Sequence, residues 1–125
     1  MTKASKNTAN LQDIGIGTVH EQVAEGYEFA FLNLRERGEL APLLKGLPDD
    51  HCDCPHWGYV ISGKVTFTHL DGRSEVLETG DAFYVAPGHV PVVEAGTEVL
   101  FISPEVDAAR VNAVIQSNMA AMQPS

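Results

Sequence analysis

The chain has 125 residues, which is enough for one domain with modest extensions and too few for two. Hydrophobic residues make up 44% and charged residues 20%, a balance typical of globular proteins that excludes a largely disordered chain. The 17 acidic and 8 basic residues give a net charge of −9, which excludes nucleic acid and anionic membrane surfaces as partners. No stretch approaches the roughly 20 apolar residues of a membrane span.

Residues 1–26 are predicted to form a polar N-terminal arm that is partly disordered or adds one edge strand. They are rich in Thr, Asn, Lys and Gln, with only scattered Ile and Val. Lys3 and Lys6 are not followed by an apolar segment, so the arm does not have the pattern of a secretory signal. We therefore expect a cytoplasmic protein, in which glutathione would keep its two cysteines reduced.

Short strands are predicted from residue 27 onwards, because apolar and polar residues alternate over 27–35 and in several later segments. The later segments are 57–61, 64–70, 73–78, 82–86, 89–95 and 98–103. Turn signals separate them, including Asp71-Gly72, which suits a two-residue hairpin. Six or seven such strands without intervening helices are typical of an antiparallel sandwich or barrel. The Leu- and Pro-containing segment 38–48 is expected to be a loop packed over one mouth of that barrel.

A helix is predicted after Ser103. Ser103 can cap it, Pro104 suits its first position, and Glu105 favours the positive end of its dipole. Apolar residues then recur at three- and four-residue intervals from Ala108 to Met122. This stripe must be buried, either on the outside of its own barrel or against a second subunit.

The main chemical signal is a cluster of Cys and His. Both cysteines and two of the five histidines fall in six positions, as His51, Cys52, Cys54 and His56. Thiolate and imidazole bind zinc and the later first-row metals strongly, and the cluster directly precedes a strand that could hold it rigidly. A disulfide between Cys52 and Cys54 would close a very small, strained ring, so metal binding or free thiols are better interpretations.

Two segments, WGYVISG at 57–63 and GDAFYVAPGH at 80–89, resemble the two motifs of the cupin family. The resemblance covers about residues 27–104 and implies an all-β, double-stranded β-helix (jelly-roll) barrel with a C-terminal α-helix. We accordingly divide the chain into the arm at 1–26, a cupin barrel at 27–104, and a C-terminal helix and tail at 105–125.

The chain departs from the family pattern at its ligand positions. Counting back from Gly63 puts His56 where the family has a glutamate, and the family's paired histidines would fall within residues 49–52. His89 stands two residues before the usual third histidine, whose position is Pro91 here. A shift of two residues along a strand preserves the face, so His89 can still point inward.

The resemblance therefore implies a metal site with softer ligands than the family's three histidines and one glutamate. Our first choice is Cys52, Cys54, His56 and His89, with His51 as the main substitute. Two thiolates and two imidazoles suit a tetrahedral zinc ion, and iron, nickel or cobalt could also bind. A metal-free barrel with buried cysteines and satisfied histidines is the alternative.

We expect a metal-binding cupin that acts on or binds a small, polar or anionic molecule in its barrel cavity. The resemblance implies a dioxygenase, isomerase, lyase or decarboxylase without selecting one, and an enzyme would need an acid or base beside the metal. Candidates for that group are Asp49, Asp50, His51 and Tyr59. The alternative function is a non-catalytic module that senses a ligand or metal through its dimer interface.

A homodimer is expected to form through sheet edges and the Met-containing helical stripe. The remaining histidines, His20 and His69, are interpreted as structural. The aromatic side chains of the strands are expected to form the core or the pocket wall; they are Trp57, Tyr59, Phe67, Phe83 and Tyr84.

Overall fold

The computed structural model describes residues 2–122, which form ten strands and one α-helix. The strands are β1 (Asn10–Asp13), β2 (Gly17–Ala24), β3 (Tyr27–Leu34), β4 (Gly38–Glu39), β5 (His56–Ser62), β6 (Lys64–His69), β7 (Ser74–Glu78), β8 (Ala82–Val85), β9 (His89–Val93) and β10 (Glu98–Pro104). The helix α1 comprises Glu105–Met122, and short 3₁₀ turns occupy Ala41–Leu44 and Pro48–Asp50. No helix in this part of the chain is long and apolar enough to cross a membrane.

The strands form two antiparallel sheets. The larger sheet has the order β1-β2-β3-β10-β5-β8, and the smaller has the order β4-β9-β6-β7. From β3 onwards, consecutive strands repeatedly change sheet, so the two sheets face each other as in a jelly roll. The predicted all-β jelly roll with a C-terminal α-helix is therefore confirmed.

The hydrophobic core lies between the two sheets and follows from strand alternation. In β5, Val60 is fully buried between the exposed Tyr59 and Ile61, and in β6 the buried side chains are Val65 and Phe67. Alternate residues of a strand point to opposite faces, so one face of each strand supplies the core. Each large apolar side chain buried in this way contributes roughly 1.5–3 kcal/mol.

The glycine that ends the first motif is required by the turn between β5 and β6. Gly63 has a φ of +94°, and a Cβ built on it would lie 2.6 Å from the Cα of Thr97. Both the backbone conformation and the close approach exclude larger side chains without rearrangement. This turn fixes where β5 ends and therefore where its N-terminal residue, His56, lies.

The N-terminal segment differs from the predicted polar arm, because β1 and β2 belong to the larger sheet. Residues Gly17 to Ala24 pair with Leu34 to Tyr27 along the whole of β3. The scattered apolar residues Ile14, Ile16 and Val19 pack against the core. The barrel therefore includes strands from residue 10 onwards.

The helix begins at Glu105, because β10 continues through Pro104 and Ser103 lies in the strand instead of capping the helix. The apolar stripe of α1 packs against its own chain: Val111 is buried with Leu44, Leu47 and both cysteines. Helix α1 and the first 3₁₀ turn thus cover one end of the barrel. The sequence allowed the apolar stripe to pack either on its own barrel or against a second subunit. In the structure it packs on its own barrel.

Candidate metal site and cavity

Two distant stretches of the chain meet at the candidate site through their backbones. The N–H of Cys52 donates to the carbonyl oxygen of His89 at 2.9 Å, and the N–H of Gly88 donates to the carbonyl oxygen of Cys52 at 2.8 Å. This isolated antiparallel bridge ties the segment before β5 to the first residue of β9. It places the Cys/His cluster next to the second motif.

Three of the four predicted ligands come together. The Sγ of Cys52 and one ring nitrogen each of His56 and His89 lie within 4.8 Å of one another. The Sγ of Cys52 is 3.5 Å from Nε2 of His56. Zinc bonds of about 2.3 Å to sulfur and 2.0–2.1 Å to nitrogen separate two tetrahedral ligands by about 3.5 Å. The spacing and the soft donor set therefore fit one metal ion.

Both histidine rings are oriented by a hydrogen bond at Nδ1. The Nδ1 of His89 is 2.7 Å from the carbonyl oxygen of Ala86, which can only accept, so Nδ1 carries the proton and Nε2 has a free lone pair. The Nδ1 of His56 lies 2.6 Å from the Oγ of Ser103. A partner at Nδ1 that fixes the tautomer is the usual second layer around a metal-binding histidine.

Ser103 is the residue at this site that the sequence interpretation missed. Strand alternation along β10 places it on the same inward face as Val99 and Phe101. That two-residue period was the available signal. The Ser-Pro-Glu pattern at residues 103–105, typical of a helix start, competes with this signal in the sequence.

Burial keeps both rings neutral, which is the form that binds a metal. It lowers the pKa of His56 to about 3, with a smaller contribution from the neighbouring His89 ring. Burial also lowers the pKa of His89. The pKa of the Cys52 thiol is raised to about 11 by burial, so a metal ion would have to displace its proton.

Cys54 and His51 lie beside this group but do not join it. Cys54 is fully buried next to Leu44 and Val111, and its Sγ donates to the carbonyl oxygen of Pro55 at 3.4 Å. Burial, reinforced by neighbouring Cys52, raises the pKa of the Cys54 thiol to about 12. The ring of His51 instead contacts the carbonyl oxygen of Asp49 at 2.6 Å.

The four candidate acids and bases do not line the cavity. Asp49 and Asp50 are exposed on a turn, and Tyr59 points outward from β5 with 44% of its surface accessible. The aromatic residues also divide: Phe67 and Phe83 face the interior, whereas Trp57, Tyr59 and Tyr84 lie on the outer face of the larger sheet. The predicted role in the core or the pocket wall therefore holds for Phe67 and Phe83 and is wrong for Trp57, Tyr59 and Tyr84.

A cavity of about 440 Å³ adjoins Cys52, His56 and His89. Apolar side chains from both sheets and from α1 form most of its wall, including Ile14, Leu32, Phe67, Phe101, Val111 and Ile115. Two glutamates interrupt this apolar lining. Glu28 accepts a hydrogen bond of 3.0 Å from Nδ2 of Asn112, and burial raises the pKa of both Glu21 and Glu28. The cavity therefore combines a largely apolar wall with one acidic, hydrogen-bonding patch.

Residues 38–99 match the family model described as the cupin domain. Among solved structures, the S161A mutant of oxalate decarboxylase OxdC from Bacillus subtilis is 19% identical, with a TM-score of 0.56 over 81% of this chain and 28% of that chain. The polyketide cyclase RemF from Streptomyces resistomycificus is 16% identical, with a TM-score of 0.58 over 84% of this chain and 80% of that chain. An RmlC-like cupin from Shewanella frigidimarina is 19% identical, with a TM-score of 0.58 over 81% and 88% of the two chains.

No curated protein matches the sequence. The chain spans only about 28% of the length of the oxalate decarboxylase, and all three identities are low enough to show a shared fold alone. The fold, the match over residues 38–99 and the Cys/His group at the junction of the two motifs agree with one another. The chain therefore contains a cupin domain, whose first motif is atypical in that Cys52 and His56 lie beside His89.

Proposed function

We propose that this cupin binds a divalent metal ion through Cys52, His56 and His89 and holds a small, largely apolar molecule in the adjoining cavity. The observation that carries the proposal is the convergence of three ligand atoms within 4.8 Å at the wall of a cavity of about 440 Å³. Zinc is our first choice, because one thiolate and two imidazoles suit it, with ferrous iron, nickel and cobalt as alternatives.

Three protein ligands leave one tetrahedral position for a water molecule or a substrate. A metal bound there would supply Lewis-acid chemistry next to the cavity. The chain's own contribution is to hold the two imidazoles in place through Ser103 and Ala86 and to surround the site with an apolar wall. This arrangement supports an enzyme, with the reaction type open.

The cavity favours a different ligand from the polar or anionic molecule expected from the sequence. Its wall is mainly apolar, and its polar patch contains Glu21 and Glu28, which accept hydrogen bonds and repel anions when ionised. We therefore propose a neutral or cationic amphipathic ligand with a hydrogen-bond donor. Oxalate, which the name of one structural neighbour mentions, does not have this chemistry.

The alternative is a non-catalytic module in which Cys54 supplies a fourth ligand. This is favoured by the position of Cys54, which lies in the same buried cluster as Cys52. Four protein ligands would close the coordination sphere and make the metal structural. The two functions therefore differ in whether the Cys54 thiolate binds the metal.

The test is the metal content of four proteins that are stripped of metal and then reloaded with zinc or cobalt. The parent is expected to bind one equivalent, and Cys52→Ser and His56→Ala are expected to lose it. Cys54→Ser is the matched control, because it removes an equally buried thiol two residues away. It should retain the metal and the thiolate-to-cobalt absorption band.

Loss of metal from Cys54→Ser as well would favour the four-ligand structural site over the three-ligand site. A parent that binds no metal, or a Cys52→Ser variant that binds as well as the parent, would overturn the proposal. Ligand chemistry is tested separately by thermal stabilisation with an alkyl amine, the corresponding alcohol and oxalate. The amine and the alcohol should stabilise the protein, and oxalate should not.

We also propose that the protein acts in the cytoplasm, where its thiols would remain reduced, and that it functions as a homodimer. Both proposals follow the expectations from sequence. The Met-containing stripe of α1 packs against the same chain, so a dimer requires a different surface.

A further inference from the structure

We infer that Glu28 selects the ligand of the cavity by binding a primary ammonium group, while the ligand's hydrocarbon chain lies along the apolar wall. Resting on the proposed function, this assignment narrows the ligand from a neutral or cationic molecule to an alkylammonium and gives its head group one main partner. The position of Glu28, its hydrogen bonding, the charges around it and the residues next to it support the assignment.

Glu28 lies on the inner face of the larger sheet, in a row with the candidate metal site. It pairs with Ser103 of β10, and the Oγ of Ser103 is 2.6 Å from Nδ1 of His56 in β5. Since β3, β10 and β5 are neighbours in the sheet, two strand spacings of about 4.8 Å separate the backbones at Glu28 and His56. Both side chains line the same cavity. A small molecule in that cavity can therefore contact Glu28 and still lie beside the candidate metal site.

The carboxylate of Glu28 is oriented by one hydrogen bond and has acceptor capacity left. Nδ2 of Asn112 donates to Oε2 of Glu28 at 3.0 Å. Asn112 is held in place because its neighbour Val111 in α1 is buried against the end of the barrel. Within residues 2–122, no other group donates a hydrogen bond to this carboxylate, and an ionised carboxylate offers about four acceptor sites. The Oε1 of Glu28 is therefore available to a donor on the ligand.

The carboxylates of Glu28 and Glu21 have no cationic partner in the described part of the chain. None of the ion pairs within residues 2–122 involves either residue, and no Lys or Arg from that range lines the cavity. An ionised carboxylate in an apolar wall is costly unless a counter-charge compensates it, and burial accordingly raises the pKa of both groups. An ammonium group provides that charge, whereas an alcohol does not and an anion adds repulsion.

The wall next to Glu28 is apolar and contains one small residue. Along β3 the next inward residues are Ala30 and Leu32, which also line the cavity. Phe101 of β10 pairs with Ala30. Because Ala30 has only a methyl side chain, it fills little of the space between Glu28, Leu32 and Phe101. The hydrocarbon chain of an ammonium bound at Glu28 can lie in this part of the cavity.

Calorimetric titration of metal-stripped protein tests the assignment, because without a metal the nitrogen of an amine probe has no metal to bind. Hexylamine, which is protonated at neutral pH, should bind the parent about 10- to 100-fold more tightly than hexanol, since a hydrogen bond between charged groups is the stronger kind. Glu28→Gln should lose this preference and bind hexanol as the parent does. The zinc-loaded parent should show the same preference for hexylamine.

Glu21→Gln is the matched control, because Glu21 lines the same cavity but pairs with Ala30 and does not contact Asn112. It should lose less hexylamine affinity than Glu28→Gln, and thermal unfolding checks that both variants are folded. A loss in Glu21→Gln at least as large as that in Glu28→Gln would overturn the assignment to Glu28. A parent that binds hexylamine no more tightly than hexanol would overturn it without any substitution.

These outcomes are separate from the fate of the proposed function. A parent that binds zinc and hexanol but does not prefer hexylamine would leave the metal site and its apolar cavity in place and remove only the role of Glu28. A parent that binds neither zinc nor any of the probes would contradict both.

Discussion

The ring of His56 and the hydroxyl of Ser103 lie 2.6 Å apart, although 47 residues separate them in the chain. His56 opens β5 and Ser103 lies near the end of β10, the strand paired with β5 in the larger sheet. If Nε2 of His56 binds the metal, Nδ1 carries the ring proton and donates a hydrogen bond to the Oγ of Ser103. Ser103 is then a positioning residue for the proposed site.

Replacing Ser103 with Ala should therefore weaken zinc binding about 10- to 100-fold, because the His56 ring would lose the partner that fixes its tautomer. Competition with a chromophoric chelator measures this affinity. Ser103→Thr retains the hydroxyl and should recover most of the affinity, and the exposed Ser74→Ala should resemble the parent. Equal zinc affinity in Ser103→Ala and the parent would show that the hydrogen bond has no role in metal binding.

Glu21→Gln is expected to stabilise the protein at neutral pH. Burial, followed by repulsion from Glu28, raises the pKa of Glu21 above 4.5 in the folded state, so the folded protein binds more protons than the unfolded chain. The free energy of unfolding therefore falls as the pH rises from about 4.5 through the raised pKa. Gln cannot ionise and avoids this loss.

The difference in melting temperature between Glu21→Gln and the parent should accordingly be largest near neutral pH and shrink below about pH 4.5. Thermal unfolding across this range measures it. The exposed Glu36→Gln is the control and should not show the same trend. A Glu21→Gln variant that is less stable than the parent at neutral pH would contradict the proposed electrostatic cost of this cavity carboxylate.

Phe67→Ala should destabilise the fold by about 3–5 kcal/mol, because it removes a large buried aromatic side chain from the core between the two sheets. Phe67 is 1% exposed, and its ring meets the ring of His89 edge-on at a centroid distance of 5.2 Å. The urea midpoint measures the loss, and Phe67→Leu should lose much less. The exposed Val76→Ala provides the control, and a similar midpoint for Phe67→Ala and Val76→Ala would place Phe67 outside the stabilising core.

Asn118→Ala should loosen the C-terminal half of α1. The Nδ2 of Asn118 donates to the carbonyl oxygens of Leu43 at 2.7 Å and Lys45 at 2.9 Å, which connects the helix to the loop beside the cavity. Loss of both hydrogen bonds should cost about 1–2 kcal/mol and increase amide exchange over residues 112–122. Mass spectrometry after deuterium labelling measures this exchange. Ser117→Ala on the same helix should leave exchange unchanged, and equal exchange in the two variants would contradict the anchoring role.

Strands and turns that depend on patterns among neighbouring residues could be predicted from the sequence. Alternation over residues 27–35 and the turn signal at Asp71-Gly72 predicted strands and a hairpin that the structure contains. The turn is longer than the two residues expected, because the last paired residues are Thr68 and Ser74 and only Gly72, not Asp71, has a positive φ.

The sequence was less informative at the N-terminus, where residues 17–24 read as polar because only one face of β2 meets the core. At Ser103 two local signals competed, and the helix-capping pattern obscured the strand alternation that places the hydroxyl beside His56.

The sequence by itself determined the all-β class, the C-terminal helix and the two stretches that carry the Cys and His residues, because periodicity, turn residues and motif spacing are properties of neighbouring residues. The tertiary structure decided which of the candidate ligand atoms meet. The bridge between Cys52 and His89 and the register of β5 against β10 bring Cys52, His56, His89 and Ser103 together, while Cys54 packs under α1. These relationships depend on pairing between strands that are far apart in the chain, and local sequence patterns do not specify that pairing.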